Sequence, residues 1–529
     1  MKKIFLSVLM ASAVLTGCSD AYDIEQAGFV TQESDVFRNA DDIGKGIRYV
    51  YTSLPVETEI DFDSFFTDEL GIGTGNAGQG INDGSYTFLL QAGNSNAQGI
   101  WGSYYGLVNR VNRILNRIDE MMLEPGADTA ALKQHQAHAY GLRAYCHYKL
   151  FAFFTPDYTN PSGLSVIKFD FLQTDDYSRF EKRSTVAEIV AFIESDIQKA
   201  KDLGGIVQAP QGMGSGYASN EMLESILIKM YSMLQTPDAY AKLETAFNKL
   251  DETKSIADLS TYITMFGQSA DAADFNEGIF KLNRVSTDGG VQSGVAASWY
   301  PAQVGVAPYM EMGRSLYNEL DKLDPSKQGT TYSATRLDAR YLVSVLSTSL
   351  VATNYASLSQ DQYRTRDVLY IGKYPGITNR PLMNSVWMFR FTDMLLALAE
   401  KRAFEGNLTG TVALNNFSNV ESIIYNIRAN RNTSGALTPA SMPTNFSSAQ
   451  AAYARILEER RVEFAFEGQR FLDMKRLGVR ANSPGFVRDP QDCVSTNACS
   501  LAPGGTRATM PIPRSEMVSN PNMVQNPGY

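Results

Sequence analysis

The sequence predicts a mainly α-helical fold in which helix pairs form an α-solenoid or an irregular bundle that carries long loop insertions. Apolar residues recur at three- and four-residue steps along much of the 529-residue chain, whereas strand-like alternation is sparse. Short turn-forming sequences separate neighbouring helical runs. The length allows one large domain or two ordinary ones. We expect a single domain over 18–529, with an N-terminal part at about 18–265 and a C-terminal part at about 266–529.

The clearest predicted helix runs from Tyr104 to the stop signal Pro125-Gly126. Its apolar face comprises Leu107, Val108, Val111, Ile114, Leu115, Ile118 and Met122. A second helix is predicted from about Ala131 to Phe154. A third opens at Thr185, which has the capping-box partner Glu188 three residues later, and it ends at Gly204-Gly205. Further helices are predicted at about 219–235, 238–250, 387–405, 417–431 and 449–476.

Four long polar stretches, which we call the first to fourth insertions, lie at about 55–100, 265–310, 325–380 and 480–515. Segments of this length without regular structure tend to carry function. The first insertion offers Asn76, Asn82 and Tyr86, and the second offers Trp299 and Tyr300. Aromatic faces with nearby amides suit a neutral, polyhydroxylated ligand, so we predict these five as ligand-binding residues, with Trp299 and Tyr300 as a stacking platform. The alternative is that the aromatic residues fasten loops to the helical body.

The N-terminus reads as a lipoprotein signal. Lys2-Lys3 precede an apolar run from Ile4 to Leu15, and Leu15-Thr16-Gly17-Cys18 follows the pattern of a bacterial signal cut before a lipid-carrying cysteine. The run is too short to span a bilayer, which needs about 20 apolar residues, so we expect an anchor at Cys18. A formal net charge of −10 argues against nucleic-acid binding, because no excess of Lys and Arg is present to contact phosphates.

The remaining cysteines suggest one disulfide. Cys493 and Cys499 lie close together in a segment rich in Pro, Gly and Asn, and an exported protein is not kept reduced by the cytosol. We therefore predict a Cys493–Cys499 bond, with a zinc site as the alternative. Cys146 stands in a helical run and is expected to be a buried free thiol.

The motifs argue against catalysis and against a cofactor. Residues 73–78 match G-x-G-x-x-G, but turn-forming residues come next, where a dinucleotide site needs a helix. His135 and His138 share a helix face and could hold a metal, although ordinary helix histidines are the simpler interpretation. We expect no metal and no cofactor. The 57 acidic residues leave a carboxylate pair for glycoside hydrolysis open.

The strongest local pattern runs from Glu458 to Gly478. If this segment is one helix, four of its charged residues follow one another at three- and four-residue steps and form an alternating ion-pair row. These residues are Arg460, Glu463, Glu467 and Arg470. We interpret the segment as structural.

The run from Glu459 to Gly478 resembles the signature of SusD/RagB-type outer-membrane lipoproteins of Bacteroidetes. The C-terminal segments 511–516 and 520–529, the segment 101–112 and the segment 388–400 resemble the same family. Thr392-Asp393 departs from the more usual Ala-Glu of the last of these segments. The resemblance covers essentially the whole chain.

The resemblance implies a fold of tetratricopeptide-like helix pairs with long loop insertions. It also implies a non-catalytic capture protein at the cell surface, anchored to the outer membrane, which passes oligosaccharides to a SusC-like TonB-dependent transporter. A peptide-binding member of the same family is the first alternative, and a surface glycoside hydrolase is the second. The family signature does not choose a substrate.

Overall fold

The computed structural model describes residues 33–76, 78, 81, 84–172, 179–207, 217–267, 275–283, 307–376, 384–435, 437–438 and 446–529. Cys18 and the signal segment lie outside these ranges. In the N-terminal half the helices are α1 (Glu33–Val36), α2 (Ala40–Thr52), α3 (Val56–Phe66), α4 (Ser95–Met121), α5 (Thr129–Phe154), α6 (Val186–Asp202), α7 (Asn220–Leu234), α8 (Pro237–Asp251) and α9 (Leu259–Phe266). Two strands, β1 (Leu70–Ile72) and β2 (Gly278–Leu282), belong to the same half or follow it directly.

The C-terminal half mixes helices with short strands. Its elements are β3 (Met310–Met312), α10 (Arg314–Asp321), α11 (Ala339–Ser344), α12 (Gln360–Arg366), β4 (Val386–Arg390), α13 (Phe391–Phe404), α14 (Val420–Arg431), α15 (Ala449–Glu463), α16 (Arg470–Leu477), β5 (Phe486–Val487), α17 (Pro490–Cys493), β6 (Ser500–Leu501) and α18 (Arg514–Ser519). Single 3₁₀ turns occur at Ser85–Thr87, Tyr355–Ser357 and Thr506–Ala508.

Consecutive helices pack as pairs, and the mainly helical prediction is confirmed. α4 packs on α5, α5 on α6, and α7 on α8. Only Gln235 and Thr236 separate α7 from α8, so these two helices run antiparallel. The capping box at Thr185 and Glu188 forms as predicted and starts α6 at Val186. α4 begins at Ser95, nine residues before the predicted start at Tyr104, because Ala97, Ile100 and Trp101 of its first turns are already buried.

The helix predicted over 387–405 starts as a strand. β4 occupies Val386–Arg390 and pairs antiparallel with β2, with Lys281 opposite Trp387 and Leu282 opposite Val386. All five residues of each strand are buried, which is the environment of a core strand. Helix α13 therefore begins only at Phe391.

The single helix predicted over 449–476 is wrong, and so is the ion-pair row placed on it. α15 ends at Glu463 and α16 begins at Arg470. Between them Phe466 and Gly468 have φ values of 62° and 71°, a left-handed conformation that no helix continues through. A Cβ on Gly468 would lie 3.0 Å from Ile60, so this turn also packs closely on α3. The four charged residues consequently face different parts of the protein.

One group of buried charges joins four helices. Arg460 of α15 donates to Asp393 of α13 at 2.6 Å and to Asp473 of α16 at 2.7 Å. Lys229 of α7 donates to Asp393 at 2.9 Å. Arg476 pairs with Asp473 at 2.8 Å. Burial alone would raise the pKa of Asp393, but the cations Lys229 and Arg460 bring it well below its usual range. The carboxylate is therefore ionised inside the core.

A second group of buried charges surrounds Glu463 and Glu467. Arg390, at the end of β4, contacts Glu463 at 3.0 Å and Glu467 at 2.9 Å. Arg431 of α14 contacts Glu463 at 2.9 Å, and Lys373 contacts Glu467 at 2.6 Å. All five side chains are at most 3% exposed. Isolated charges at this depth would destabilise the fold by several kcal/mol each, so their pairing is a condition of folding.

The predicted free thiol lies in the core with His138 and His147, whereas His135 is half-buried. Cys146 is buried and unpaired, and burial raises the pKa of its thiol. His147 is fully buried, and burial lowers its pKa to about 4. His138 contacts the Tyr51 hydroxyl through Nδ1 at 2.7 Å. Within the described ranges, the helices are all too short or too polar to cross a membrane.

We expect Arg460→Met to lower the free energy of unfolding by about 3–5 kcal/mol, because Asp393 and Asp473 stay buried while each loses a partner. Urea denaturation measures this loss. Lys242→Met is the control, since Lys242 is 49% exposed and pairs with Glu194 at 3.3 Å. Such exposed pairs contribute about 0–1 kcal/mol. Equal losses in the two variants would contradict a larger contribution from the buried group.

Candidate functional site

The first and second insertions meet at the β1–β3 pair. The two strands are antiparallel, with Leu70 opposite Met312 and Ile72 opposite Met310. Beyond the strands the backbone pairing continues, as the Gly73 amide donates to Tyr309 O at 3.0 Å and the Gly75 amide donates to Pro308 O at 2.8 Å. The two stretches predicted to carry ligand residues are thus joined at their bases. We call this region, residues 70–76 with 307–312, the loop junction.

The glycines of the junction explain the G-x-G sequence. A Cβ on Gly73 would collide with the Pro308 carbonyl, and a Cβ on Gly75 would collide with the Ala307 carbonyl. Glycine is therefore needed for the close approach of two backbones. A dinucleotide site places the N-terminus of a helix directly after such a motif, whereas these glycines lie against a second loop. The motif serves loop pairing.

Of the five predicted ligand residues, the structure places Asn76 at the junction. Asn76 is half-buried there; its amide nitrogen lies 3.3 Å from Met310 Sδ, and its Oδ1 accepts a hydrogen bond from the Gly78 amide at 2.8 Å. Tyr309, which is 38% exposed, lies on the opposite side of the junction. Trp299, Tyr300 and Asn82 lie outside the described residues. The described chain resumes at Ala307, seven residues after Tyr300.

Tyr86 is placed in the core and not on a ligand surface. Its side chain is 0% exposed, and its hydroxyl donates to the carbonyl oxygen of Asp492 at 3.1 Å. The Arg488 guanidinium stacks over the ring at 3.8 Å from the centroid. The guanidinium and the backbone carbonyl satisfy the aromatic face and the hydroxyl internally. Tyr86 therefore fastens the first insertion to the fourth, as the alternative interpretation of the loop aromatics has it.

The third and fourth insertions join the same place through Asp492, on α17. Asp492 Oδ1 accepts a hydrogen bond from the Tyr363 hydroxyl of α12 at 2.7 Å. Its Oδ2 accepts one from the backbone amide of Arg314 at 2.7 Å, directly after β3. A Cβ on Gly71 of β1 would lie 3.0 Å from Oδ1. All four insertions therefore converge below the loop junction.

The carboxyl groups below the junction are buried close together. Burial raises the pKa of Asp492 to about 7, and nearby Asp489 and Asp367 act in the same direction. Burial also raises the pKa of Glu311 well above its usual range, with Asp492 and Asp367 as the next contributions. Asp367 is held by Arg314, whose Nη1 donates to both of its oxygens at 2.8 and 3.1 Å. Neutral pH therefore leaves part of this cluster protonated.

A disulfide closes the fourth insertion beside Asp492. Cys493 is bonded to Cys499, with Cα atoms 5.2 Å apart, and no zinc ligand set is formed by these two residues. Arg488, which precedes α17, donates to the Thr67 carbonyl at 2.7 Å and lies 4.1 Å from the Phe88 ring centroid. The segment that carries Asp492 is thus fixed at both ends.

Two acidic residues connect the junction to the helical body. Asp68, two residues before β1, accepts two hydrogen bonds from Arg470 of α16 at 2.9 and 3.0 Å. Glu69 accepts a hydrogen bond from the Phe466 amide at 3.1 Å. Phe466 lies in the turn that interrupts the predicted helix over 449–476, and Arg470 is the first helical residue after that turn. The break in that helix therefore positions the start of β1.

The arrangement favours binding over bond cleavage. Asp492 and Glu311 are only 6% and 3% exposed, and β1 covers them, so a substrate at the surface does not reach either carboxyl group. In the part of the chain that the structure describes, His, Cys, Asp and Glu form no group of three that could hold a metal ion. Among the described residues, the exposed part of the junction offers loop backbone, the Asn76 amide and the Tyr309 ring.

Sequence reasoning missed the residues that build the junction from below. Asp492, Tyr363, Arg314 and Glu311 come from three insertions and one helix end, and no spacing in the chain relates them. Their only signal was their presence in or beside long polar stretches. The disulfide segment gave a weak indication that the fourth insertion is held rigidly.

Comparisons with known proteins agree over the whole chain. The model of the SusD family matches residues 264–529. A second family model, described as starch-binding and associating with the outer membrane, matches residues 23–205. The SusD-like protein P2 of Formosa agariphila is 22% identical over 562 aligned residues and is covered completely, as is this chain.

Solved structures share the fold. A SusD superfamily protein from Bacteroides thetaiotaomicron superposes with a TM-score of 0.68 at 20% identity, covering 92% of this chain and 100% of that one. Surface glycan-binding protein A from Bacteroides fluxus gives a TM-score of 0.63 at 19% identity, covering 92% and 99%. At these identities the likeness establishes the architecture.

We expect Gly75→Ala to separate the two loops, because its Cβ has to displace the Ala307 carbonyl, which is backbone. The free energy of unfolding should fall by about 1–3 kcal/mol, as for other overpacked sites. Hydrogen exchange at the Gly73 and residue-75 amides should also become faster. Gly93→Ala is the matched control in the same insertion, since its Cβ meets no atom within 4 Å. The same response in both variants would refute the close approach as the cause.

Proposed function

The chain belongs to the SusD family, whose members are non-catalytic binding proteins, and from this premise we propose that it captures oligosaccharides at the cell surface and passes them to a SusC-like TonB-dependent transporter. The observation that carries the proposal is the convergence of four polar insertions at the loop junction. A rigid base that presents loops from distant parts of the chain is a common design for ligand recognition. The proposed ligand is neutral and rich in hydroxyl groups.

The chemistry of the insertions supports a sugar ligand. Trp299, Tyr300 and Tyr309 supply flat aromatic faces, and Asn76 and Asn82 supply amides in the paired insertion. The apolar face of a sugar ring packs against an aromatic ring, while its hydroxyl groups exchange hydrogen bonds with amides. The name of the Bacteroides fluxus relative, a surface glycan-binding protein, agrees with this assignment.

Capture without cleavage fits the carboxyl groups of the site. General acid catalysis needs a carboxyl group that reaches the glycosidic oxygen. Asp492 and Glu311 are instead enclosed beneath β1, and Asp492 is occupied by contacts within the protein. We therefore expect the ligand to leave the protein intact and in its original length.

The lipid anchor and the transporter complete the proposal. Acyl chains on Cys18 would hold the protein at the outer membrane, and the second family description also associates such proteins with that membrane. A tether at one end lets the folded body stay beside the transporter that receives the ligand. The raised local concentration makes transfer efficient even when the affinity for the ligand is modest.

We expect Trp299→Ala and Tyr309→Ala each to weaken binding of the best ligand in a panel of defined oligosaccharides by about five- to tenfold, as the loss of an aromatic contact of about 1–1.5 kcal/mol implies. Isothermal titration calorimetry gives the affinities. Tyr49→Ala is the control, because Tyr49 is 50% exposed on α2 and away from the junction residues. Unchanged affinity in Trp299→Ala would refute the stacking platform. Displacement of the oligosaccharide by a peptide mixture, or release of shortened products on long incubation, would favour the peptide-binding or the hydrolytic alternative.

We expect Cys18→Ala to move the protein from the membrane fraction to the soluble fraction of the cell, because the acylated thiol is the proposed attachment. Fractionation with detection by antibody checks this, and protease added to intact cells should degrade the wild-type body. Protection of a body that is cleaved readily once purified would contradict exposure at the cell surface.

A further inference from the structure

Asp492 stands where the chain brings its four insertions together. Its carboxyl oxygens accept from the Tyr363 hydroxyl and from the Arg314 amide, both at 2.7 Å, and its own carbonyl oxygen accepts from the Tyr86 hydroxyl at 3.1 Å. Gly71 of β1 approaches so closely that a Cβ would lie 3.0 Å from Oδ1. Asp492 alone therefore contacts α12, the start of α10, Tyr86 of the first insertion and strand β1.

We propose that Asp492 positions the ligand surface, because its buried carboxyl group fixes the start of α10, just after β3, and helix α12 of the third insertion against β1. The distance between the backbone at 73–75 and the backbone at 308–309 depends on that arrangement, since both stretches extend directly from the two strands. Residues 76 and 307 then enter the ligand surface from fixed starting points. The effect on ligand affinity rests on the proposed function, whereas the effect on the junction does not.

Aspartate is suited to this position because both of its oxygens accept hydrogen bonds. Asparagine in the same place keeps the hydrogen bond from the Arg314 amide through its oxygen, and its NH₂ group then faces the Tyr363 hydroxyl and can only donate to it, so the Tyr363 O–H loses its acceptor. With 6% of the residue exposed, water does not replace the missing partner. Asp492→Asn therefore removes the acceptor of the Tyr363 O–H while it preserves the volume.

The charged and titratable groups around Asp492 come from every element packed against it. They are Tyr86, Glu311, Arg314, Tyr363, Arg364, Asp367, Arg488 and Asp489. Arg314 is paired with Asp367, and Arg488 donates to backbone carbonyls, so neither guanidinium neutralises the Asp492 carboxylate directly. The surroundings of Asp492 consequently favour its protonated form.

Because the closed junction favours protonated Asp492, raising the pH weakens the closed junction. When the junction opens, Asp492 meets water and its pKa returns to an ordinary value of about 3.9. In the closed junction burial raises that pKa to about 7. The closed state is therefore favoured fully below pH ~4 and loses this contribution as the pH rises through about 7, after which the effect levels off.

Hydrogen exchange of the full-length protein tests the positioning role. We expect Tyr363→Phe, which removes only the hydroxyl that donates to Asp492, to make the Gly73, Gly75 and Met312 amides exchange about tenfold faster. Tyr341→Phe is the matched control, since it removes a similarly buried hydroxyl whose partner is Tyr317 at 3.1 Å. Faster exchange at the junction in Tyr363→Phe alone supports the proposal. Unchanged exchange there, or an equal change in both variants, overturns it.

A pH series separates positioning from a general loss of stability. In the wild type, protection of the junction amides, corrected for intrinsic exchange, should fall between about pH 5 and pH 7 and then level off. Asp492→Asn should reduce that fall, leaving the part that Glu311 contributes. A full wild-type slope in Asp492→Asn would overturn the role of this carboxyl group.

Isothermal titration calorimetry tests whether the junction affects ligand binding. The ligand used is an oligosaccharide that the wild-type protein binds. Tyr363→Phe should weaken binding about tenfold, and Tyr341→Phe should leave it unchanged. Faster exchange with unaltered affinity would overturn the positioning of the ligand surface. If the wild type binds no oligosaccharide of the panel, the proposed function fails, and the exchange experiment still decides whether Asp492 holds the junction.

Discussion

The guanidinium of Arg460 lies between the carboxylates of Asp393 and Asp473, and all three groups are almost completely shielded from bulk water. Charges buried this deeply destabilise the fold unless each is paired with an opposite charge. The partners come from α13, α15 and α16, so the contacts form only when these helices have reached their final positions. Apolar packing alone allows helices to slide and rotate, whereas this pattern of charges accepts one arrangement. The charge pattern thus selects the packing of the C-terminal half.

The same requirement extends from the helical body to the ligand surface. Glu463 and Glu467 face Arg390, Arg431 and Lys373, and the chain can present both glutamates to these cations because α15 stops between them. The turn that results sends Arg470 to Asp68, at the start of β1. A helix break that costs regular hydrogen bonds therefore connects the core to the loops. The helical body and the loop junction therefore both depend on this segment.

Much of the helical scaffold was predictable from the sequence. Thr185 with Glu188 marked the start of α6 correctly, since capping depends on residues within one turn. The break at Phe466 was not predictable, because the left-handed residue is held by contacts of Glu467 with Arg390 and Lys373, which are distant in sequence. The strand Val386–Arg390 was not predicted for a related reason, because its partner β2 lies about a hundred residues earlier in the chain. Residues close in sequence thus determine where a helix such as α6 starts. The helix break and the strand depend instead on partners that are distant in the chain.

The parts of the chain that form the loop junction were predictable, but the side chains that contact one another there were not. Long polar stretches indicated which parts of the chain form it, whereas the direction of each side chain depended on neighbours from other stretches. Tyr86 shows this clearly, because Arg488 and Asp492, some 400 positions away, turn an expected surface ring into a buried one. Asn76 stayed at the junction, since the backbone beside it pairs with the second insertion.

The first two insertions meet through backbone amides and carbonyls, and the two glycines there contribute no side chains. Apart from these two glycines, such pairing makes few demands on the sequence outside the strands. Stretches of different length and composition can therefore occupy the space between the paired ends while the scaffold keeps its shape. The loops can then vary in sequence while the helical body stays the same, as the binding loops of antibody variable domains do. The junction thus holds the ends of the loops that we propose to bind the ligand.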